Sequence, residues 1–399
     1  MSTDRLQTPF PLTRSHTLSH RIVLAPMTRM RASSTGIPHP RAAEYYSERT
    51  TPGALLISEG IVIYPRGRGF PNTPGLYTEA QVEAWKSITE AVKKKGGVFF
   101  AQLWWFILLF LLHVGRVSVP SQTGGYPPLA PTTEHLPGMH PLFGQENITE
   151  PYVDSQAMTE EDIRDVVELF AVAAKNAIRT GFDGVEIHGA NWYILDSFVH
   201  SNINTRTDKY GGSLTNRLRF PLLVIDAVIS CIGASKTAIR LAPFHVLQET
   251  RDANRLETFT AYATELEKRN LAYVHMVEPR YDQFSSEGAF TAKRETVEIL
   301  DVEGGICARD EMSLWPFRKV LERTPVIGAG GYDASSARKA VEESRVDLVA
   351  FGRHFTSNPD LVRRLFEGLP LTKYERKTFY TPSMEGYLGW KTAGEVGKM

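Results

Sequence analysis

The residues best suited to chemistry fall together in the stretch Val185-Glu186-Ile187-His188-Gly189-Ala190-Asn191-Trp192-Tyr193. His188 and Asn191 are two hydrogen-bond donors, and the phenol of Tyr193 follows shortly after them. Such a set could grip one substrate oxygen while Tyr193 delivers a proton. A lone histidine after a strand is more often structural than catalytic, so the case rests on the set. Two glycine-rich stretches lie further on, Gly328-Ala329-Gly330-Gly331 and Gly352-Arg353. Glycine lets backbone N–H groups approach phosphate oxygens closely, and Arg353 would add charge; the bland reading is a pair of tight turns with a surface arginine. No HExxH helix or other close pair of histidine ligands points to a metal, and no G-x-S-x-G elbow points to a serine hydrolase. The 2 cysteines, Cys231 and Cys307, exclude a disulfide scaffold and a four-cysteine zinc site.

These side chains need a frame. Short apolar runs recur at Ile22–Ala25, Ala54–Ser58, Val98–Leu103, Gly184–His188, Thr237–Leu241, Tyr273–Val277, Val326–Gly328 and Leu348–Phe351. They read as parallel strands covered on both faces, without alternation of polar and apolar residues. Amphipathic helices lie between them. Thr78 opens one with a capping box, Val82, Trp85, Ile88 and Val92 share its apolar face, and Gly96-Gly97 stops it. Thr159 and Asp162 open another, with Ile163, Val166, Val167, Phe170 and Ala174 as its stripe. Further helices are expected over Leu214–Ile232, Glu257–Arg269, Ser313–Arg323, Ser335–Glu343 and Asp360–Glu367. Eight strands alternating with helices predict an α/β fold, a single (β/α)₈ TIM barrel with extended βα loops spanning residues 1–399 as one domain.

In such a barrel the active groups sit at the carboxyl ends of the strands. Those positions are held by Pro26-Met27-Thr28-Arg29, Glu59-Gly60, Gln102, His188 with Asn191 and Tyr193, Arg240, Glu278-Pro279-Arg280, Gly330-Gly331 and Gly352-Arg353. The glycine pairs follow strands seven and eight, where barrels frequently bind phosphate, and this placement favours a phosphorylated ligand.

Charge and composition exclude other classes. Lysine plus arginine equals aspartate plus glutamate at 45 each, which argues against a nucleic-acid partner. Hydrophobic residues at 42% and charged residues at 23% are ordinary globular values. The apolar run Leu103–Leu112 is short of the ~18–20 residues a membrane helix needs, so no membrane partner is expected. The amino terminus has no signal-peptide core, and a cytoplasmic location is the simplest expectation.

With these residues in place, the chain resembles the old yellow enzymes, FMN-dependent ene-reductases that include plant oxophytodienoate reductases and fungal relatives. The resemblance runs nearly end to end. It is carried by IVLAPMTRMRA (22–32), AAEYYSERT (42–50), LLISEG (55–60), AQLW (101–104), GFDGVEIHGAN with YILDSF (181–198), NTRTDKYGGSLTNRLRF (204–220), AIRLAP (238–243) and FGRHFTSNPDLVRRL (351–365).

The resemblance implies an FMN cofactor and NADPH or NADH as hydride donor. It implies that Pro26 and Thr28 lie beside the flavin ring, and that Gly60 and Gln102 meet its polar edge. Arg240 would sit near the N1 side, and Gly330, Gly331, Gly352 and Arg353 would hold the phosphate. His188 and Asn191 match the pair that bonds the substrate oxygen, Tyr193 the proton donor, and Tyr380 an aromatic residue lining the substrate pocket. The implied substrate is a small enone or enal, the implied setting a specialised-metabolite pathway, and the implied assembly a monomer or homodimer. A pathway-specific flavin isomerase or dehydrogenase on the same fold, and a non-catalytic barrel scaffold, are the alternative expectations.

Two departures from the family pattern stand out. Residues 105–112 are an apolar insertion before His113-Val114-Gly115-Arg116. It could be a lid over the mouth, a contact with another chain, a gene-model error or a tolerated bulge. Trp192 stands where the family normally has glycine, which either strains a positive-φ backbone or narrows the pocket.

Overall fold

The structure is a computed structural model describing residues 4–64, 71–104, 107–108, 112–113, 119–120, 128–135, 138–141, 148–245, 250, 252–279 and 313–396. Each of the eight apolar runs forms a strand: β1 Ile22–Leu24, β2 Leu55–Ile57, β3 Val98–Trp104, β4 Gly184–His188, β5 Thr237–Leu241, β6 Tyr273–Val277, β7 Val326–Ala329 and β8 Leu348–Phe351. All neighbours pair in parallel, β8 pairs back onto β1, and β4 pairs with both β3 and β5, so the sheet closes as an eight-stranded barrel.

Strand register sorts the side chains into two cores. Leu24, Leu56, Val185, Ile187, Ile239, Val274 and Met276 point outward and pack with residues of the surrounding helices such as Trp85, Ile88, Phe170, Ile225 and Phe259. Val23, Leu55, Ile57, Phe100, Ala238, Tyr273, Ile327 and Leu348 form the apolar interior, which Leu12 and Leu18 of an amino-terminal hairpin join. Above this floor the interior turns polar. Glu186 and His188 on β4, Arg240 on β5 and His275 on β6 occupy alternate positions, so these strands do alternate, contrary to the expectation from the apolar runs. Period-two alternation is what a strand shows when one face meets helices and the other a polar mouth.

The helices begin as their caps direct. In α1 (Ala42–Glu48) Tyr45 and Tyr46 are buried. Helix α2 (Glu79–Lys94) starts with the reciprocal Thr78–Gln81 capping box, and α3 (Glu160–Arg179) with that of Thr159 and Asp162. Gly96 takes φ +75° just past α2, the left-handed value a helix terminator requires. The short α4 (Ile194–Val199) follows the β4 mouth, and α5 spans Leu214–Ile232 as the sequence indicates. The others are α6 (Arg255–Glu267), α7 (Trp315–Val320), α8 (Ala334–Glu342), α9 (Arg353–Ser357), α10 (Leu361–Glu367) and the short α11 (Ala393–Val396).

Most of the apolar insertion at 105–112 falls outside the described residues. Its backbone at Ile107–Leu108 pairs antiparallel with Leu112–His113, a two-stranded ribbon following β3. No helix among the described residues is long and apolar enough to cross a membrane.

Candidate active site

The site is built at the carboxyl end of the barrel, where β4 delivers His188 and the turn after it delivers Asn191 and Tyr193. That turn is sharp because two successive residues adopt left-handed backbone, Asn191 at φ +56° and Trp192 at φ +60°. Asparagine tolerates this region, whereas tryptophan is strained there by about 1–2 kcal/mol. The turn is held by the Trp192 N–H, which donates to Asp196 Oδ2 at 2.8 Å, and by Ser197 Oγ, which donates to the Trp192 carbonyl at 2.8 Å. Trp192 therefore has the positive-φ backbone, and its indole also packs into the cluster beside Tyr193.

His188 and Tyr193 meet edge to face, and Trp104 at the end of β3 completes the group. The Trp104 ring lies 5.0 Å from Tyr193 and 5.8 Å from His188 between centroids. Trp192 packs on the outer side, 5.7 Å from Tyr193 and 4.8 Å from His245. Val62, Val119 and Tyr152 close an aromatic and apolar cluster around them.

Burial sets the protonation of both polar groups. Desolvation, aided by the Arg240 charge, pushes the His188 imidazole well below its usual value, so it is neutral at physiological pH. The Ala190 N–H donates to His188 Nδ1 at 3.4 Å, which assigns the ring proton to Nε2 and makes that nitrogen a donor. Tyr193 is pushed up by desolvation and by the nearby Tyr380 phenol, with Arg240 pulling the other way, so its hydroxyl keeps its proton. Tyr380 itself is exposed, at the rim.

Beneath these rings, Gln102 on β3 is buried and its Nε2 donates to Glu186 Oε1 at 2.7 Å. Arg240 stands beside His188 on one side and His275 on the other in the strand register. Pro26 and Thr28 are half-buried in the loop after β1. Gly60 has no room for a side chain, since a Cβ would fall on the Trp104 ring.

At the mouths of β7 and β8, Gly330 and Gly331 take φ +122° and +78°. A Cβ on Gly331 would lie 3.8 Å from Arg353 Nη2, and one on Gly352 would lie 3.4 Å from Met27 Sδ in the β1 loop. Arg353 Nη1 donates to the Tyr374 hydroxyl at 3.1 Å. Glycine backbone beside a guanidinium is suited to a phosphate dianion. Among the described residues no group of three or more histidine, cysteine, aspartate or glutamate side chains could hold a metal.

Other residues at this end carry no obvious sequence signal. Arg29 and Arg31 reach from the β1 loop to backbone carbonyls of the carboxyl-terminal segment: Arg29 to Phe379 and Gly386, Arg31 to Thr378, Phe379, Ser383 and Glu385. That segment carries Tyr380. Glu59, next to Gly60, is buried and accepts the Arg29 N–H at 3.2 Å.

Residues 5–372 match the model of the NADH:flavin oxidoreductase / NADH oxidase family. The chain is 41% identical over 390 residues to flavin oxidoreductase hxnT of Emericella nidulans, covering 94% of this chain and 95% of that protein. It is also 41% identical over 394 residues to putative 12-oxophytodienoate reductase 2 of Oryza sativa subsp. japonica, covering 98% and 95%. Among solved structures, morphinone reductase aligns with a TM-score of 0.84 at 33% identity, over 99% of this chain and 98% of that one. The old yellow enzyme homologue from Zymomonas mobilis aligns at 0.82 with 34% identity, over 97% and 99%.

Proposed function

The chain belongs to the NADH:flavin oxidoreductase / NADH oxidase family, and from that premise we propose that it reduces the activated C=C bond of a hydrophobic α,β-unsaturated ketone or aldehyde. FMN is the family's cofactor, and the residues present fit it. Glycine backbone beside Arg353 suits its phosphate, and the buried Gln102 amide and Arg240 guanidinium suit its polar ring edge. When bound, FMN supplies two-electron chemistry, accepting hydride from NADPH or NADH and returning it to the substrate.

The protein's share is binding, orientation and proton delivery. His188 Nε2–H and the Asn191 amide bind the substrate oxygen and draw electron density toward it, which makes the β-carbon electrophilic. Tyr193 holds the proton destined for the α-carbon. Pro26, Thr28 and Gly60 would line the flavin ring, and Gly330, Gly331, Gly352 and Arg353 would hold its phosphate. Trp104, Trp192 and Tyr152 give an aromatic wall suited to an apolar substrate body, with Tyr380 at the rim.

One observation carries this reading: a neutral, Nε2-protonated His188 held against a protonated Tyr193 at 4.8 Å between rings. The test is anaerobic reduction of the yellow protein by NADPH or NADH, then reoxidation with a panel of unsaturated ketones, aldehydes and nitroalkenes. Rapid reoxidation with a saturated product is expected. A bleached flavin that only oxygen reoxidises would refute it.

A further inference from the structure

The barrel's upper interior contains a buried carboxyl that the proposed chemistry does not use. Glu186 is wholly inaccessible to solvent. Gln102 Nε2 donates to its Oε1 at 2.7 Å, and His275 Nδ1 lies 2.9 Å from its Oε2. The three side chains come from β3, β4 and β6, and Gln102 pairs with Glu186 in register, so both enter the interior side by side. One layer below, the same interior is filled by Phe100, Ala238 and Ile327. Burying a carboxyl there costs several kcal/mol unless its partners compensate, and an apolar residue would fill the space more cheaply. The arrangement therefore calls for a reason beyond packing.

We propose that Glu186 is a positioning residue that fixes which way the Gln102 amide faces. An amide has one oxygen acceptor and two N–H donors, whereas a carboxylate has acceptors only. Gln102 must turn its NH₂ to Glu186, because the flipped amide would set oxygen against oxygen. Its Oε1 is then turned away from Glu186 as an acceptor, and the second N–H remains beside it. That acceptor–donor pair complements an imide edge, where an N–H is flanked by carbonyl oxygens, as on the pyrimidine side of an isoalloxazine. His275 holds the other carboxyl oxygen and stops the carboxylate plane from rotating. Supporting groups of this kind keep a binding side chain in one orientation. The inference rests on the reading of Gln102 as a flavin-edge residue.

The test uses the purified holoenzyme, with FMN release on dilution followed by flavin fluorescence and the midpoint potential by spectroelectrochemistry. Gln102→Ala should weaken FMN retention about tenfold, the loss of a hydrogen bond to a buried polar edge. Glu186→Ala should weaken it by a similar factor, and the double variant should be no worse than either single one. Glu186→Gln, which keeps an acceptor for Gln102, should restore retention to within about twofold. By removing a negative charge it should move the flavin potential to more positive values. If Glu186→Ala costs as much on the Gln102→Ala background as on wild type, Glu186 acts independently and the proposal falls. If Gln102→Ala leaves FMN retention unchanged, the placement of Gln102 at the flavin is wrong and the proposal falls with it. Should Glu186→Ala not fold, Glu186→Leu takes its place in the same cycle, and a loss of retention that adds to that of Gln102→Ala overturns the role.

Discussion

The His188 imidazole meets the Tyr193 ring edge to face, with centroids 4.8 Å apart and planes at 87°. The group assigned to the substrate oxygen thus forms one wall of the group assigned to the substrate proton, and each fixes the other's rotamer. The two roles can still be separated by mutation. Tyr193→Phe should leave flavin reduction by NADPH within about twofold. It should slow reoxidation by a cyclic enone by about 10²–10⁴-fold, the usual range for a lost proton donor. His188→Ala should instead weaken binding of phenolic charge-transfer ligands about tenfold or more. Stopped-flow half-reactions and titration of the long-wavelength band with a phenol measure the two effects.

Trp192 makes opposing contributions to stability. Its left-handed backbone costs about 1–2 kcal/mol, while its buried indole contributes packing whose removal costs about 3–5 kcal/mol. Packing wins, so both Trp192→Gly and Trp192→Ala should lower the thermal midpoint. The glycine variant should nevertheless be the more stable of the two by about 1 kcal/mol, since only it relieves the strain. Both should accept bulkier enones than wild type, read as kcat/KM across a size series. Equal stability of the two variants would contradict the φ of +60°.

Glu59 makes stability depend on pH. Burial raises its carboxyl from the usual range to about 7, against a lowering by the Arg29 N–H and charge. A native-state value above the unfolded one means that the native protein holds an extra proton across the interval. The stabilisation is complete below the unfolded value near 4.5 and is lost as pH rises toward 7. Thermal midpoints of wild type should therefore fall between about pH 5 and pH 7 relative to those of Glu59→Gln, which keeps an oxygen acceptor for Arg29. Parallel pH profiles for the two proteins would remove Glu59 from the account.

Arg31 ties the loop after β1 to the segment around residues 378–386. Burial lowers its guanidinium to about 10, so it remains charged at neutral pH while bonding carbonyls of Thr378, Phe379, Ser383 and Glu385. Arg31→Met should cost about 3 kcal/mol by leaving buried acceptors unpaired. Amide exchange should rise across residues 378–390, and KM for the enone should rise more than kcat falls, because Tyr380 rides on this segment. Unchanged exchange there would show that the segment is anchored elsewhere.

Much of this architecture is legible in the residues themselves. The strand runs, the capping boxes at Thr78 and Thr159, and the α5 limits at Leu214 and Ile232 follow from local rules that tertiary structure does not override. His188 and Tyr193 meet because a strand end and its following turn are contiguous. The meeting of Glu186, His275 and Gln102 is less legible, because only the curvature of the barrel brings three strands' side chains together. Its signal is the alternation of Val185-Glu186-Ile187-His188, which the apolar character of the neighbouring strands obscures. The grip of Arg29 and Arg31 on a segment some 350 residues away leaves no local pattern.

The grip has a practical corollary for anyone handling this protein. Residues 378–386 are held through their backbone carbonyls by side chains that begin immediately after Thr28. Shortening the chain to before Tyr387, or fusing a partner close to it, would disturb the loop assigned to the isoalloxazine as well as the far tip. Loss of colour on such trimming would report a mechanical link between residues 29–31 and residues 378–386.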